Sequence, residues 1–98
     1  MSQDVIMFKA LNGEEIIARL IEEDDKIVLI EKPRLLVAQQ GKQPGQMQIG
    51  LVPWYLGSPD GTVEVRQEHI FSRLKLVPPE LEKGYLQQTS GIDLSAAN

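Results

Sequence analysis

Turn and breaker signals cut this chain into short pieces, and that restricts its fold more than any other feature. Asn12-Gly13, Glu23–Asp25, Lys32-Pro33, Gln40–Gln46, Gly57–Gly61 and Pro78-Pro79 punctuate it. The segments between them are apolar and rich in β-branched residues: Val5–Leu11, Glu14–Ile21, Lys26–Ile30, Arg34–Gln39, Met47–Leu56, Thr62–Arg66 and Ile70–Val77. Such segments read as strands. Asn-Gly predicts a two-residue type I′ hairpin, because both central residues of that turn need positive φ. Residues 14–22 could form a helix on propensity alone, but the Asn-Gly before them and the acidic turn after them favour a strand. Pro33 and Pro53 mark edges, bulges or kinks, since proline cannot donate to a ladder. Pro79–Leu86 can start a short helix with proline in its first turn. Gln87–Asn98 is small and polar and reads as a fraying end. The expected class is all-β, a small barrel or a strongly bent sheet, because no crossover helices are available.

Several strands carry apolar residues on both faces, as at Ile16-Ile17, Ile27–Ile30 and Leu35–Val37. One small barrel core needs only one face. The second face and the open edges imply a partner, and a homo-oligomer built by edge pairing is the expectation.

Charge is uneven. Residues 1–25 hold two bases and seven acids, residues 26–75 seven bases and four acids, and the net charge of the 98 residues is −4. An acidic chain is a poor non-specific binder of duplex DNA, which needs clustered bases for counterion release. The middle segment could still supply a local basic surface. Cysteine is absent, which excludes disulfide scaffolds, thiolate metal sites and thiol nucleophiles, and suits a reducing cytoplasm. Apolar runs of about four residues are too short to span a membrane, and the start lacks the pattern of a secretion signal.

Leu11–Ile30, LNGEEIIARLIEEDDKIVLI, resembles the first motif of the Sm/LSm family, which includes the bacterial RNA-chaperone type. Gly13 falls on its turn glycine, Leu20 on its core leucine, Asp24 on its turn aspartate, and Ile27 and Leu29 on buried positions of the next strand. Val65–Leu74, VRQEHIFSRL, resembles the second motif, with Val65-Arg66 on its apolar–arginine pair and Ile70 on its buried isoleucine. The resemblance covers about half of the chain and extends to marine phage members. It implies a five-stranded SH3-like or Sm-like barrel over residues 1–78, a tail over 79–98, and a cyclic ring of copies. The departures fall on the family's RNA site. Lys26 stands where a stacking aromatic is usual, Val28 where one branch has a base-reading asparagine, and Gln67 where a glycine follows the arginine. Residues 31–61 form a longer insertion than the family usually has.

Catalysis has little support. His69 is the single histidine, and Ser72, three positions on, would point to the opposite strand face. Glu22–Asp25 lacks the spacing and glycine of a calcium loop. No glycine is followed by the lysine and helix of a phosphate loop. No cofactor, metal or small-molecule substrate is expected. Trp54-Tyr55 is the one aromatic pair, and adjacent strand residues face opposite ways, so one ring can be core while the other is exposed.

The resemblance thus implies a ring that binds single-stranded RNA or DNA without catalysis, in the cytoplasm (of the host, if phage-encoded). Lys26 and Arg66 would meet phosphate or stack, His69 would bond or stack, and Asp24 would orient its turn. The alternative is a structural or protein-interaction module of a phage, with the same barrel and no nucleic-acid role.

Overall fold

A computed structural model describes residues 4–90. Six strands form one antiparallel sheet: β1 (Val5–Ala10), β2 (Glu15–Glu23), β3 (Ile27–Gln40), β4 (Met47–Pro53), β5 (Thr62–Arg66) and β6 (Ile70–Arg73). A single 3-10 turn, Gln67–His69, joins β5 to β6, and helix α1 spans Pro79–Thr89. The sheet runs β4-β3-β2-β1-β6, with β5 also paired to β3. The fold is therefore all-β and barrel-like, as the turn spacing implied.

The strand count is six rather than five because β3 continues through Lys32-Pro33 and changes partner there. Ile27–Glu31 pair with β5, whereas Arg34–Gln40 pair with β4. Lys32 takes φ 54°, a left-handed conformation that costs energy for a residue with a Cβ. Its N–H leaves the ladder and donates to the Gly61 carbonyl at 3.2 Å, and Pro33 has no N–H to donate. The insertion between the two resembled motifs thus becomes a hairpin added to a barrel. Trp54–Leu56 lie past the end of β4, and β6 stops four residues before Val77.

The β1–β2 connection departs from the expected two-residue turn. Ala10 and Glu14 close a loop of Leu11, Asn12 and Gly13, with Ala10 N–H to Glu14 O at 2.8 Å and Gly13 N–H to Ala10 O at 2.9 Å. Only Gly13, at φ 91°, takes positive φ in it. That is the three-residue pattern, in which a left-handed residue follows an ordinary turn. Asn12 serves through its side chain, whose Oδ1 accepts the Glu14 N–H at 3.0 Å.

Strand alternation sorts the apolar residues into two cores. Ile6, Phe8, Ile16, Ala18, Val28, Ile30 and Val65 fill the inside of the bent sheet. Met7 and Ile17, one position out of phase, face outward and pack against Tyr85 of α1. The chain thus covers Met7 and Ile17 of the second face with its own helix. The segment read as a tail is likewise part of the packed domain through Thr89. The expected fraying end reaches residues 91–98, which lie outside the described residues. Among the described residues no helix is long and apolar enough to cross a membrane.

Candidate nucleic-acid interface

The turn between β2 and β3 is built by Asp24. Its Oδ1 accepts the backbone N–H groups of Lys26 and Ile27, each at 2.8 Å, and its own N–H donates to Ile27 O at 3.0 Å. A short side-chain acceptor two and three residues ahead of its donors is what lets an aspartate hold so tight a reversal. These two N–H groups, Ile27 first, hold the Asp24 carboxyl below its ordinary range. Neighbouring Glu23 is also lowered, chiefly by hydrogen bonding to Arg73, whose Nη1 donates to both of its oxygens at 3.0 and 2.9 Å.

Gln67 fastens the 3-10 turn onto this reversal. Its backbone N–H donates to Lys26 O at 2.8 Å. Its Nε2 donates to Asp24 O at 2.9 Å and to Glu23 Oε2 at 3.2 Å. The residue that departs from the resembled family's glycine is therefore the clamp between the two turns. Its contact could not be read from the sequence, because the two residues it joins are 43 positions apart.

Of the four residues expected at the site, all are exposed. Asp24 and Lys26 lie on the first turn. Arg66 is the ladder partner of Ile27, one residue from Lys26. His69 closes the 3-10 turn, with its carbonyl accepting the Leu11 N–H at 3.1 Å. Arg66 and His69 line an open groove of about 490 Å³, floored by Phe8 and Val65 and walled by Trp54 and Tyr55. Asp24 and Lys26 are outside that groove.

Trp54 and Tyr55 lie past the end of β4, so strand alternation is not what divides them. Trp54 is half-buried, edge-on to Phe8 at 6.4 Å, and its Nε1–H donates to Glu14 Oε1 at 3.3 Å. Tyr55 is exposed and edge-on to Trp54 at 5.5 Å. Glu64, passed over in the sequence, also lines the groove. The cations differ in their company. Arg66 Nε meets Glu68 at 3.3 Å and Arg73 is held by Glu23, whereas the Lys26 ammonium has no ion-pair partner among the described residues. Ser72 lies in a separate cleft with Met7 and Lys9. Among the described residues no three His, Asp or Glu side chains are placed to share a metal ion. No protein-family model matches the chain, and no curated protein matches it.

The lowered carboxyls fix an acid response. A group whose folded value is depressed stabilises the native state above its unfolded value and loses that contribution as pH falls through the folded one. Stability should hold at neutral pH and fall below about pH 4. Urea unfolding of Glu23→Gln/Asp24→Asn should show lower stability at pH 7 and a shallower decline between pH 5 and 3 than the wild type. Parallel declines would mean that other carboxyls govern acid unfolding.

Proposed function

We propose that this chain is a non-catalytic, Sm-like ring protein of the cytoplasm that binds single-stranded nucleic acid, RNA before DNA. The observation that carries this reading is the clamp of Gln67 on the Asp24 turn. It sets Lys26 and Arg66 at one end of the barrel, and Arg66 and His69 open onto a groove with an exposed tyrosine. A cation for phosphate beside an aromatic face for a base is the arrangement that binds single strands with little sequence preference. Assembly is supported by the two strands that flank the 3-10 turn. The outer edges of β5 and β6 are unpaired among the described residues, and Phe71 on β6 is 71% exposed. Pairing of β5 in one copy with β6 in the next is a heterologous contact, which closes into a ring if the rotation permits. Repetition around a ring would multiply weak contacts.

Fluorescence anisotropy with labelled oligonucleotides across a salt series tests the binding. Lys26→Ala and Arg66→Ala should each weaken it and flatten the logarithmic salt slope by about 0.7 per lost phosphate contact per bound subunit. Lys83→Ala, on the exposed side of α1, should change neither. Light scattering coupled to gel filtration should give a cyclic oligomer, and a monomer at micromolar concentration would count against the ring. A structural module is the second reading, favoured by the neutralisation of Arg66 by Glu68 and of Arg73 by Glu23. It takes over if no oligonucleotide binds at low salt.

A further inference from the structure

We infer that the outer edge of β4 is a second self-assembly surface, on which two copies of this chain pair antiparallel about a two-fold axis at Ile49. It lies away from the groove and the two turns. β4 stands at one end of the strand order and β6 at the other, so this contact and the ring contact use separate edges.

The ladder of β2 with β3 ends at Leu35, and beyond it β3 and β4 run on as a two-stranded hairpin. Its hydrogen-bond phase is fixed at both ends. Gly41 N–H donates to Gln46 O at 2.7 Å, and Trp54 N–H to Pro33 O at 3.3 Å. Antiparallel bonding alternates from residue to residue. In this register Gln48, Gly50 and Val52 therefore bond inward to β3, while Met47, Ile49 and Leu51 turn their N–H and C=O groups outward. The Leu51 carbonyl shows the direction, since it accepts from Gln88 Nε2 at 3.2 Å. No described strand pairs with that edge.

Exposed edges are usually guarded by charge, a bulge or a proline within the strand. Here the ladder with β3 runs without a bulge, and the one proline of β4 is its last residue. Lys42 is the single charged residue between Leu35 and Pro59. The apolar strip beneath α1 also continues onto this hairpin. Leu36 and Leu51 are ladder partners packed against Met7, Ile17 and Tyr85. The next pairs on that face are Ala38 with Ile49 and Gln40 with Met47. Ile49 is 58% and Met47 66% exposed, so α1 leaves this end of the strip in water.

The occupant that fits such an edge is its own copy. A two-fold axis sets each side chain near its counterpart, so a charged edge would repel its mate and a neutral one does not. Centred on Ile49, the pairing sets Ile49 opposite Ile49 of the second copy, and Met47 opposite Leu51 of the second copy. All three outward residues are then used, with about six N–H···O bonds. Opposed residues share a face, so the two apolar strips become one. The Leu51 carbonyl keeps Gln88 on one lone pair and takes the new donor on the other. Pro53 has no N–H, which ends the pairing there. So short a strip falls well below the roughly 800 Å² per partner of a standard interface. A ring repeats it once per subunit, so its strength rests on the ring reading, whereas the contact itself does not.

The chain has no cysteine, so a single introduced thiol reports its own neighbours. Under mild oxidation Ile49→Cys should cross-link into a covalent dimer. Met47→Cys is as exposed but should not, because the pairing holds the two introduced thiols about 13 Å apart along the strands. By light scattering, Ile49→Lys and Ile49→Glu should each have half the mass of the wild-type particle, and an equimolar mixture of the two should regain it. Circular dichroism like that of the wild type would show that these exposed changes spare the fold. Cross-linking of Ile49→Cys beside a monomeric wild type would keep the edge and overturn the ring. A ring without that cross-link would keep the ring and overturn the edge. Equal cross-linking of Met47→Cys, or an oligomer whose mass neither charged variant lowers, would also overturn the two-fold and leave β4 to a strand of another protein.

Discussion

Arg34→Ala should cost about 3–4 kcal/mol of folding stability, a large part of what a domain of this size possesses. Arg34 is 5% exposed, unusual for a charged side chain. Its guanidinium spends its donors on three separate pieces of chain. Nε donates to Gln88 Oε1 of α1 at 2.8 Å. Nη1 donates to the carbonyls of Pro59 at 2.6 Å and Pro33 at 3.2 Å, and Nη2 to Asp60 Oδ1 at 2.7 Å. Removal leaves the Pro59 carbonyl and the Gln88 amide oxygen without this donor, while the Pro33 carbonyl keeps the Trp54 N–H at 3.3 Å, and it loosens the 54–61 loop and the helix together. Arg34→Lys should recover less than half of the loss, because one ammonium cannot reproduce a planar fork. Asp60→Asn should cost under about 1 kcal/mol, since its side chain is mostly in water. Urea unfolding of the three variants checks this. Equal losses for Arg34→Ala and Asp60→Asn would reduce the network to an ordinary surface ion pair.

Tyr85→Ala should lose about 3–5 kcal/mol, the range for deleting a buried aromatic ring. Tyr85 is 1% exposed and packs on Met7 and Ile17. Its hydroxyl donates to the carbonyls of Lys32 at 2.8 Å and Glu31 at 3.3 Å, next to the place where β3 changes partner. Tyr85→Phe keeps the ring and should lose only about 1 kcal/mol. The phenol also sets an alkaline limit. Burial pushes it up to about 12, against an ordinary value of about 10. The folded state therefore resists ionisation that the unfolded state accepts. The stability so contributed is complete below pH 10 and is lost as pH rises towards 12. Circular dichroism across that range should show Tyr85→Phe unfolding less steeply than the wild type. Identical slopes would remove Tyr85 as the cause.

Much of the barrel was legible because its signals are local. Ile6 and Phe8, and Ile16 and Ala18, alternate with Met7 and Ile17, so the strands and their two-faced character follow from period two alone. Asp24 was legible for the same reason, since its bonds reach only two and three residues ahead. The covering of Ile17 was not. Helix α1 offers Leu81, Tyr85 and Leu86 for burial and has Gly84 in its interior, a weak signal for a helix that docks. Its place follows only once Met7 and Ile17 are seen on a common outer face. Arg34 was hidden in another way: it read only as the start of the strand that resumes after Pro33, and nothing nearby in sequence foretells its partners at Asp60 and Gln88. At the candidate site, the nearness of Lys26 and Arg66 followed from the resemblance, whereas the Gln67 clamp and the place of Glu64 along the groove needed the three-dimensional arrangement.

The self-supplied cover of the second face has a consequence for synthesis. On the ribosome, β1 and β2 emerge first with Met7 and Ile17 uncovered, and every strand of the sheet is made before α1. An early collapse can bury the inner core, but the outer face stays sticky until Tyr85 has cleared the exit tunnel. During that interval a nascent chain is open to capture by a neighbouring nascent chain or by a holding chaperone. Pauses in translation between the codons for β6 and those for α1 would lengthen the interval. Slowing elongation at those codons should raise the aggregated fraction more than slowing it within β4, where the same face is equally uncovered but less of the sheet has formed.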